Sequence, residues 1–392
     1  MKQDPLVSVI MAAYNHEKYI SDAINSVLNQ TYENIEIIVE DDCSTDSTAE
    51  KIKKIKDKRL KKIYSKKNKG AVATMNHLVS LCNGDYIAIL GSDDVWYPNK
   101  IEVQLKQFKD DNIGAVFSLA DIIDENGERY EDDVDFSSDV FKSENMSRGK
   151  RMRKFFEIGN HLCHPSSIIP KKVMDEIGPY NEMYRQLHDF DYWVRIVSKY
   201  DIAVVDDRLL GYRRFKSKIN LSNSSISSNI RVMNEHYNII KKLFNIIPND
   251  DFIDGFSDLF RNKKSSTNDE LFCEKFLILK KINSFKVNNK QLALDMLFDC
   301  ENTHKITKLL EEKYNYSLND FYKETGELCE VYPFSIVLET KQEIKKNLED
   351  LPVVVETMQN LQHELNSVYN SKSWKITKPI RKIMEWKKYG KH

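Results

Sequence analysis

The chain has 392 residues, 41% hydrophobic and 30% charged, a composition that can bury sizeable cores and excludes wholesale disorder and collagen-like repeats. With 59 Lys and Arg against 60 Asp and Glu the formal charge is -1, so a globally basic nucleic-acid binder is not indicated. No run approaches the roughly 18 consecutive apolar residues that a bilayer crossing requires, which excludes an integral membrane protein.

The opening MKQDPLVSVIMAAYN carries no basic segment ahead of an apolar run of signal-peptide length, so export is not expected. From there short apolar runs alternate with amphipathic segments. Leu6–Ala13, Ile35–Glu40, Leu60–Tyr64 and Tyr86–Leu90 read as strands, with Glu17–Gln30, Ser47–Lys58 and Ala71–Cys82 as the helices between them. That rhythm predicts an α/β fold, a doubly wound sheet with helices on both faces, whose ligands bind beyond the carboxyl ends of the strands.

The residues at those ends are polar or acidic: Ala12-Ala13-Tyr14-Asn15, then Asp41-Asp42-Cys43-Ser44-Thr45-Asp46, then Gly91-Ser92-Asp93-Asp94. Ser44 and Asp46 have an ordinary reading as caps of the next helix. Asp41-Asp42 and Asp93-Asp94 are like-charged pairs that need a counter-ion, a proton or a hydrogen-bonding ligand. The turn after the first strand has no glycine, which argues against a dinucleotide fold.

Further on, Ile113–Asp124 reads as a strand turned by Asn126-Gly127, and acidic, Ser-rich Tyr130–Ser147 as a mobile excursion. Arg151–Ile158 is helical, His161–Ile169 a loop and strand, Gly178–Glu182 a turn, and Leu187–Lys199 a helix carrying His188, Asp189, Asp191, Trp193 and Arg195. Ile202–Val205 and Leu209–Arg213 read as two strands. The expected division is 1–217 for the α/β domain and 218–340 for a helical domain, with helices at Ile230–Phe244, Leu271–Ile282 and Leu292–Leu310. Within 341–370, Leu348, Leu351, Val355, Met358, Leu361, Leu365 and Val368 form a seam at spacings of 3 and 4, either a coiled coil offering a homo-oligomer surface or a helix packed on this chain. Residues 371–392 form a basic amphipathic tail. Cys43, Cys82, Cys163, Cys273, Cys300 and Cys329 show no CxxC pair or His-flanked cluster, as expected of reduced thiols in a cytoplasmic protein.

The ordered set VSVIMAAYN, IVEDDCSTDST, NKGAVATMN, GDYIAILGSDDVW, HPSSIIP, GPYNE, LHDFDYWVRI and LLGYRR resembles family 2 glycosyltransferases with a GT-A fold, over roughly residues 6 to 215. Ser373–Arg381 resembles a tail segment of some bacterial polysaccharide glycosyltransferases. The resemblance implies an inverting, metal-dependent transfer from a nucleotide-diphosphate sugar, UDP-linked, to a glycan or lipid-linked acceptor in surface polysaccharide synthesis. The alternative is a non-catalytic nucleotide-sugar-binding relative, marked by two departures: Gly91 stands at the first acidic position of the DXD motif, and His188 where an acidic residue precedes the base.

On that resemblance Asp93 holds Mn²⁺ or Mg²⁺, with Asp94 beside it, and Asp189 is the catalytic base. Ala13, Tyr14, Asn15, Asp41, Asp42, Lys69, Asn76, Ser92, Asp94 and Arg213 fall on donor-binding positions, and His188 and Trp193 on the acceptor side. Lys69 also reads as a solvated lysine, Trp193 as a core residue, and Asp189 as a charge favouring a helix N-terminus. His161 and His164 read as loop or core histidines. A nucleotide-sugar donor, a glycan or lipid-linked acceptor and an anionic membrane surface met by the tail are the expected partners, and nucleic acid is not.

Overall fold

The computed structural model describes residues 4–129, 141–215, 226–282, 284, 289–327 and 362. The chain divides into two compact units, residues 1–223 with 231–309, and residues 224–230 with 310–392. The seam at 341–370, apart from Gln362, the tail at 371–392 and most of the 130–147 excursion lie outside the described residues.

In the first unit the period-2 runs become β1 (Val7–Ala13), β2 (Ile35–Asp41), β3 (Leu60–Tyr64), β4 (Tyr86–Ile89), β5 (Val95–Trp96), β6 (Ile113–Ile123), β7 (Ile168–Pro170) and β8 (Asp201–Arg213). They form one sheet in the order β3-β2-β1-β4-β7-β6-β8-β5. Strands β1 to β4 are mutually parallel where paired, β6 is parallel to β8, and β7 runs antiparallel to both β4 and β6, so the sheet is mixed. The doubly wound mixed α/β sheet followed by helices is the expected fold.

Alternation along β1 sends Val7, Val9, Met11 and Ala13 into a core with Ile20, Ala23, Ile24 and Val27 of α1 (Ile20–Leu28). The apolar stripe of α1, at spacings of 3 and 4, is what makes it a surface-packed helix. Helix α2 (Thr48–Lys54) follows β2, and α3 (Ala71–Ser80) packs along β1 and β2.

Short elements escaped the sequence pattern. Strand β5 has two residues and α4 (Lys100–Leu105) and α6 (Lys171–Ile177) fewer than two full turns, too little for a period to register. The two runs expected at 202–205 and 209–213 are one strand, β8, whose register against β6 slips between Ser118 and Ala120, while Asp206, Asp207 and Arg208 stand exposed. That exposure broke the apolar pattern.

Helix α5 (Arg148–Ile158) leads to α7 (His188–Val197), most of whose residues are buried. Beyond it lie α8 (Ile226–Ile246), α9 (Asn249–Phe256), α10 (Asn268–Lys281), α11 (Asn289–Phe298), α12 (Thr303–Tyr314) and α13 (Leu318–Glu327). The helix expected over 292–310 is thus two, α11 and α12, and α9 is additional. Phe156 of α5 packs its ring against Phe244 of α8 at 5.1 Å and Phe256 of α9 at 6.0 Å. Helices α5 and α9 touch backbone to backbone: a Cβ on Gly255 would stand 2.2 Å from the Gly149 carbonyl oxygen. Only glycine permits that crossing. Helices α8 to α11 therefore share one unit with the sheet from Arg231 onward. Among the described residues no helix is long and apolar enough to cross a membrane.

Candidate active site

Register brings the strand ends together. Ala13 pairs with Asp41, Asp41 with Tyr64, and Ile10 with Ile89, so the loops after β1, β2 and β4 leave one edge side by side. The Asp42 N–H donates to the Ala13 carbonyl at 2.8 Å. Asn15 (φ 53) and Cys43 (φ 62) both take the left-handed region that non-glycine residues avoid, as strained backbone at functional sites does. The strain is held by cross-bonds: Asn15 N–H donates to Ser44 Oγ at 2.9 Å, and the Thr45 N–H donates to Asn15 Oδ1 at 2.8 Å. Tyr14 projects from this frame, 43% exposed.

The acidic pair at the end of β2 splits in two. Asp42 accepts from the Lys69 N–H at 2.9 and 3.1 Å and from the Gly70 N–H at 2.8 Å, fixing the turn where Gly70 has φ +87. Asp41 accepts from the Ser44 N–H at 3.1 Å through Oδ2, while its Oδ1 is buried without a hydrogen-bond partner. Lys69 pairs its Nζ with Glu40 Oε1 at 2.6 Å, and His77 Nδ1 (2.7 Å) and Ser65 Oγ (2.6 Å) share the same carboxylate. Burial alone would raise the Glu40 pKa, but these three partners hold it below the usual range. Lys69 is thus an internal counter-ion to Glu40 rather than a freely solvated lysine.

After β4 the turn Gly91–Asp94 closes with the Asp94 N–H on the Gly91 carbonyl at 3.2 Å. A Cβ at Gly91 would stand 2.5 Å from Asp94 Oδ2, so the side chain missing at this position is space that the neighbouring carboxyl fills. Asp94 is buried and accepts from the Arg213 N–H at 2.8 Å; burial first, and the Asp93 charge second, push its pKa well above the carboxylate range. The Arg213 guanidinium donates to the carbonyls of Asp93 (2.7 Å) and Asp124 (2.6 Å) and lies 4.7 Å from the Tyr19 ring centroid, locking the turn to β8. Asp93 keeps its carboxylate partly open, 3.9 Å from His16 Nε2, and His16 Nδ1 meets Ser92 Oγ at 2.7 Å. Among the described residues no three His, Cys, Asp or Glu side chains converge on one point. One accessible carboxylate beside a buried acid is an oxygen donor set that fits Mg²⁺ or Mn²⁺ when substrate phosphates complete the shell.

On the other flank, Asp189 sits in the first turn of α7, half-buried. Asn160 Nδ2 donates to its Oδ2 at 2.8 Å and the Phe190 N–H to its Oδ1 at 2.8 Å. Burial raises its pKa above the ordinary aspartate value, while His188, the Phe190 N–H and Asn160 draw it down. The His188 ring lies edge-on to His164 (5.5 Å) and near Tyr180 (6.0 Å), its Nδ1 buried without a hydrogen-bond partner. Trp193 is 0% exposed, edge-to-face on Phe117 at 4.7 Å and 5.6 Å from His164, which is the core alternative of the sequence reading. Asn76 accepts from the Tyr180 N–H and donates to the Tyr180 carbonyl, both at 2.9 Å, pinning the 178–182 turn.

The segment 160–166 joins the flanks. Trp96 Nε1 donates to the Pro165 carbonyl at 3.0 Å, Asn160 holds Asp189, and the buried Cys163 thiol is pushed up by burial, then by Asp94 and by Asp189 as well. Three residues were missed from sequence: His16, Asn160 and Glu235. The carboxylate of Glu235, on α8, accepts the N–H groups of Arg185, Gln186 and Leu187 just ahead of α7. His16 had a signal, standing next to Asn15 in the first loop; the other two act across the fold and had none.

The model for glycosyl transferase family 2 matches residues 8–178. An uncharacterized glycosyltransferase of Methanocaldococcus jannaschii is 35% identical over 215 residues, covering 53% of this chain and 71% of that protein. The UDP-Glc:alpha-D-GlcNAc-diphosphoundecaprenol beta-1,3-glucosyltransferase WfgD of Escherichia coli is 31% identical over 226 residues, covering 58% of this chain and 81% of WfgD. Among solved structures, S. aureus TarS 1-349 in complex with UDP-GlcNAc aligns with a TM-score of 0.47 at 16% identity, over 81% of this chain and 89% of that one. By the extent and identity of the sequence matches, the chain belongs to glycosyltransferase family 2 and is a glycosyltransferase.

Proposed function

We propose that the chain transfers a sugar, with inversion, from a UDP-linked donor to a hydroxyl of a glycan or lipid-linked acceptor in surface polysaccharide synthesis. One observation carries the reading: segment 160–166 is bonded to Trp96, two residues past the acidic Gly91–Asp94 turn, through the Pro165 carbonyl, and to Asp189 through Asn160. A donor diphosphate at the first and an acceptor hydroxyl at the second would meet over it. The WfgD name, with its UDP-Glc donor and diphosphoundecaprenol-linked acceptor, supports the choice of nucleotide and acceptor class.

Donor binding falls to the strand-end loops. The exposed Tyr14 ring offers a face to the base, and the unpaired Asp41 Oδ1 accepts from an imide or hydroxyl group. Ala13, Asn15, Asp42, Asn76 and Arg213 shape the walls, and Ser92 and His16 border the diphosphate. Asp93 would hold a divalent cation, which when bound supplies Lewis-acid stabilisation of the departing diphosphate. Asp189 takes the acceptor hydroxyl proton as its oxygen forms a bond to the anomeric carbon and the bond to the diphosphate breaks on the opposite face. Burial that lifts the Asp189 pKa makes it a stronger base than an exposed aspartate. His188 borders the acceptor.

Sugar transfer by wild type and Asp189→Asn tests the reading. Loss of a base is expected to cost about 10² to 10⁴ in rate with donor affinity nearly unchanged; retention of half the wild-type turnover overturns it.

A further inference from the structure

We propose that Asn160 is a positioning residue for Asp189, fixing the orientation of its carboxylate and the pH at which it gives up its proton. The inference rests on the reading of Asp189 as the base. Its geometry is specific. Asn160 Oδ1 accepts from the Leu162 N–H at 3.1 Å, which leaves the amide NH₂ as the group facing Asp189 Oδ2 at 2.8 Å. With Oδ1 held by the Phe190 N–H at 2.8 Å, both carboxylate oxygens are tied and the plane of the group is set.

The loop that carries Asn160 is itself immobilised. Gly159 (φ +78) ends α5, its N–H on the Phe155 carbonyl at 3.0 Å. The next side chain, His161, is buried 5.0 Å from the Phe155 ring, with Arg151 3.2 Å from its Nε2. The titratable groups around Asp189 are His188 on α7, Tyr180 in the preceding turn and Cys163 beyond Asn160, with His164 behind His188. Of these only His188 stabilises the charged carboxylate, and the backbone N–H of Phe190 and the amide donor of Asn160 join it in opposing burial.

The test compares wild type, Asn160→Ala and Asn160→Asp in the full chain. Carboxyl ¹³C NMR titration, with the Asp189 signal identified by its loss in Asp189→Asn, reads the effect without any donor. The Asp189 midpoint is expected to rise by about half a unit or more in Asn160→Ala and by about one or more in Asn160→Asp, where a second carboxyl opposes ionisation. With Mn²⁺ and the UDP-sugar that wild type cleaves fastest, the acid limb of kcat is expected to move upward in the same order, with KM for the donor within twofold. A merely structural asparagine would lower the thermal midpoint and leave both titrations in place. An unchanged Asp189 midpoint in both variants overturns the proposal. An Asp189→Asn variant that keeps wild-type turnover overturns the base assignment instead, whatever the NMR midpoints do.

Discussion

The Glu235 carboxylate accepts a hydrogen bond from the Leu187 N–H at 2.7 Å, and through it a helix outside the family match holds the start of the helix that bears Asp189. Leu187 is the N-cap of α7 and has no side-chain oxygen with which to cap it. Glu235 supplies the acceptor from 48 residues away, taking Gln186 N–H at 2.8 Å and Arg185 N–H at 2.9 Å as well. Lower on the same helix, Lys242 pairs with the buried Asp191, which also holds Arg195 at 3.0 Å. Glu235→Ala leaves three amides without their acceptor at a partly buried site and is expected to lower stability by about 1 to 3 kcal/mol. Because the loss falls at the N-terminus of α7, turnover should drop more than donor affinity. A denaturation curve and UDP binding by calorimetry, measured on the same variant, check both; equal losses in turnover and donor affinity would remove the link to α7.

The metal assignment has its own outcome. Asp94 is committed to Arg213 and pushed toward its neutral form, so Asp93 is the carboxylate of the turn left to meet a cation. UDP should bind wild type at least about tenfold more tightly with Mn²⁺ than with chelator, and Asp93→Ala should bind it equally in both. Equal UDP affinity with and without Mn²⁺ in wild type refutes the assignment.

The strand ends were legible because they are local facts. A period of two followed by Asp-Asp or Asn places a carboxylate or amide at a sheet edge, and β1, β2 and β4 do this in register. The pairings that decide what those groups can do were not legible. Asp41 and Asp42 are adjacent and chemically identical, yet Asp42 is spent on the Lys69–Gly70 turn while Asp41 keeps a free oxygen. Lys69 found Glu40, His16 found Ser92 and Asn160 found Asp189, each across 29 residues or more. No periodicity encodes such contacts; they follow from sheet order. Trp193 shows the opposite limit, since an aromatic on the core-facing side of an amphipathic helix is buried whatever role it might have had.

Acid sensitivity should trace in part to His161. Burial above all, with Arg151 beside it, pushes the pKa of this ring down to about 3. The folded protein keeps the ring neutral while the unfolded chain protonates it near the ordinary value of about 6.5. Below that pH the unfolded state binds more protons, so stability is lost as pH falls from about 6.5 toward 3, by up to about 1.4 kcal/mol per unit from this residue. Buried His164, also held well below its usual value, acts in the same direction. Urea midpoints between pH 7 and 4 should decline in wild type and decline less steeply in His161→Gln, which is less stable at pH 7. Parallel slopes for the two proteins would place the acid lability elsewhere.

The basic tail gives the last prediction, which rests on sequence. Residues 371–392 hold eight Lys and Arg against Glu385 alone, a net +7 in a chain whose total is -1. Trp374, Ile376, Ile380, Ile383, Met384 and Trp386 supply apolar groups, and from Ile376 the spacing i, i+4, i+7, i+8 would set four of them on one face of a helix that had Pro379 near its start. Such a segment suits the interface of an anionic leaflet, where each Lys or Arg contributes about 1 kcal/mol near the surface. Attachment there would bring the enzyme to the surface on which the proposed lipid-linked acceptor resides. The competing arrangement is a helix docked on this protein's own acidic surface, and salt separates the two only when lipid is present. The full chain is therefore expected to sediment with anionic vesicles at low salt and to be released at high salt, while a chain ending at Asn370 stays in the supernatant. Neutral vesicles should retain neither. If both chains partition alike on anionic vesicles, the tail packs on the protein and the membrane argument fails.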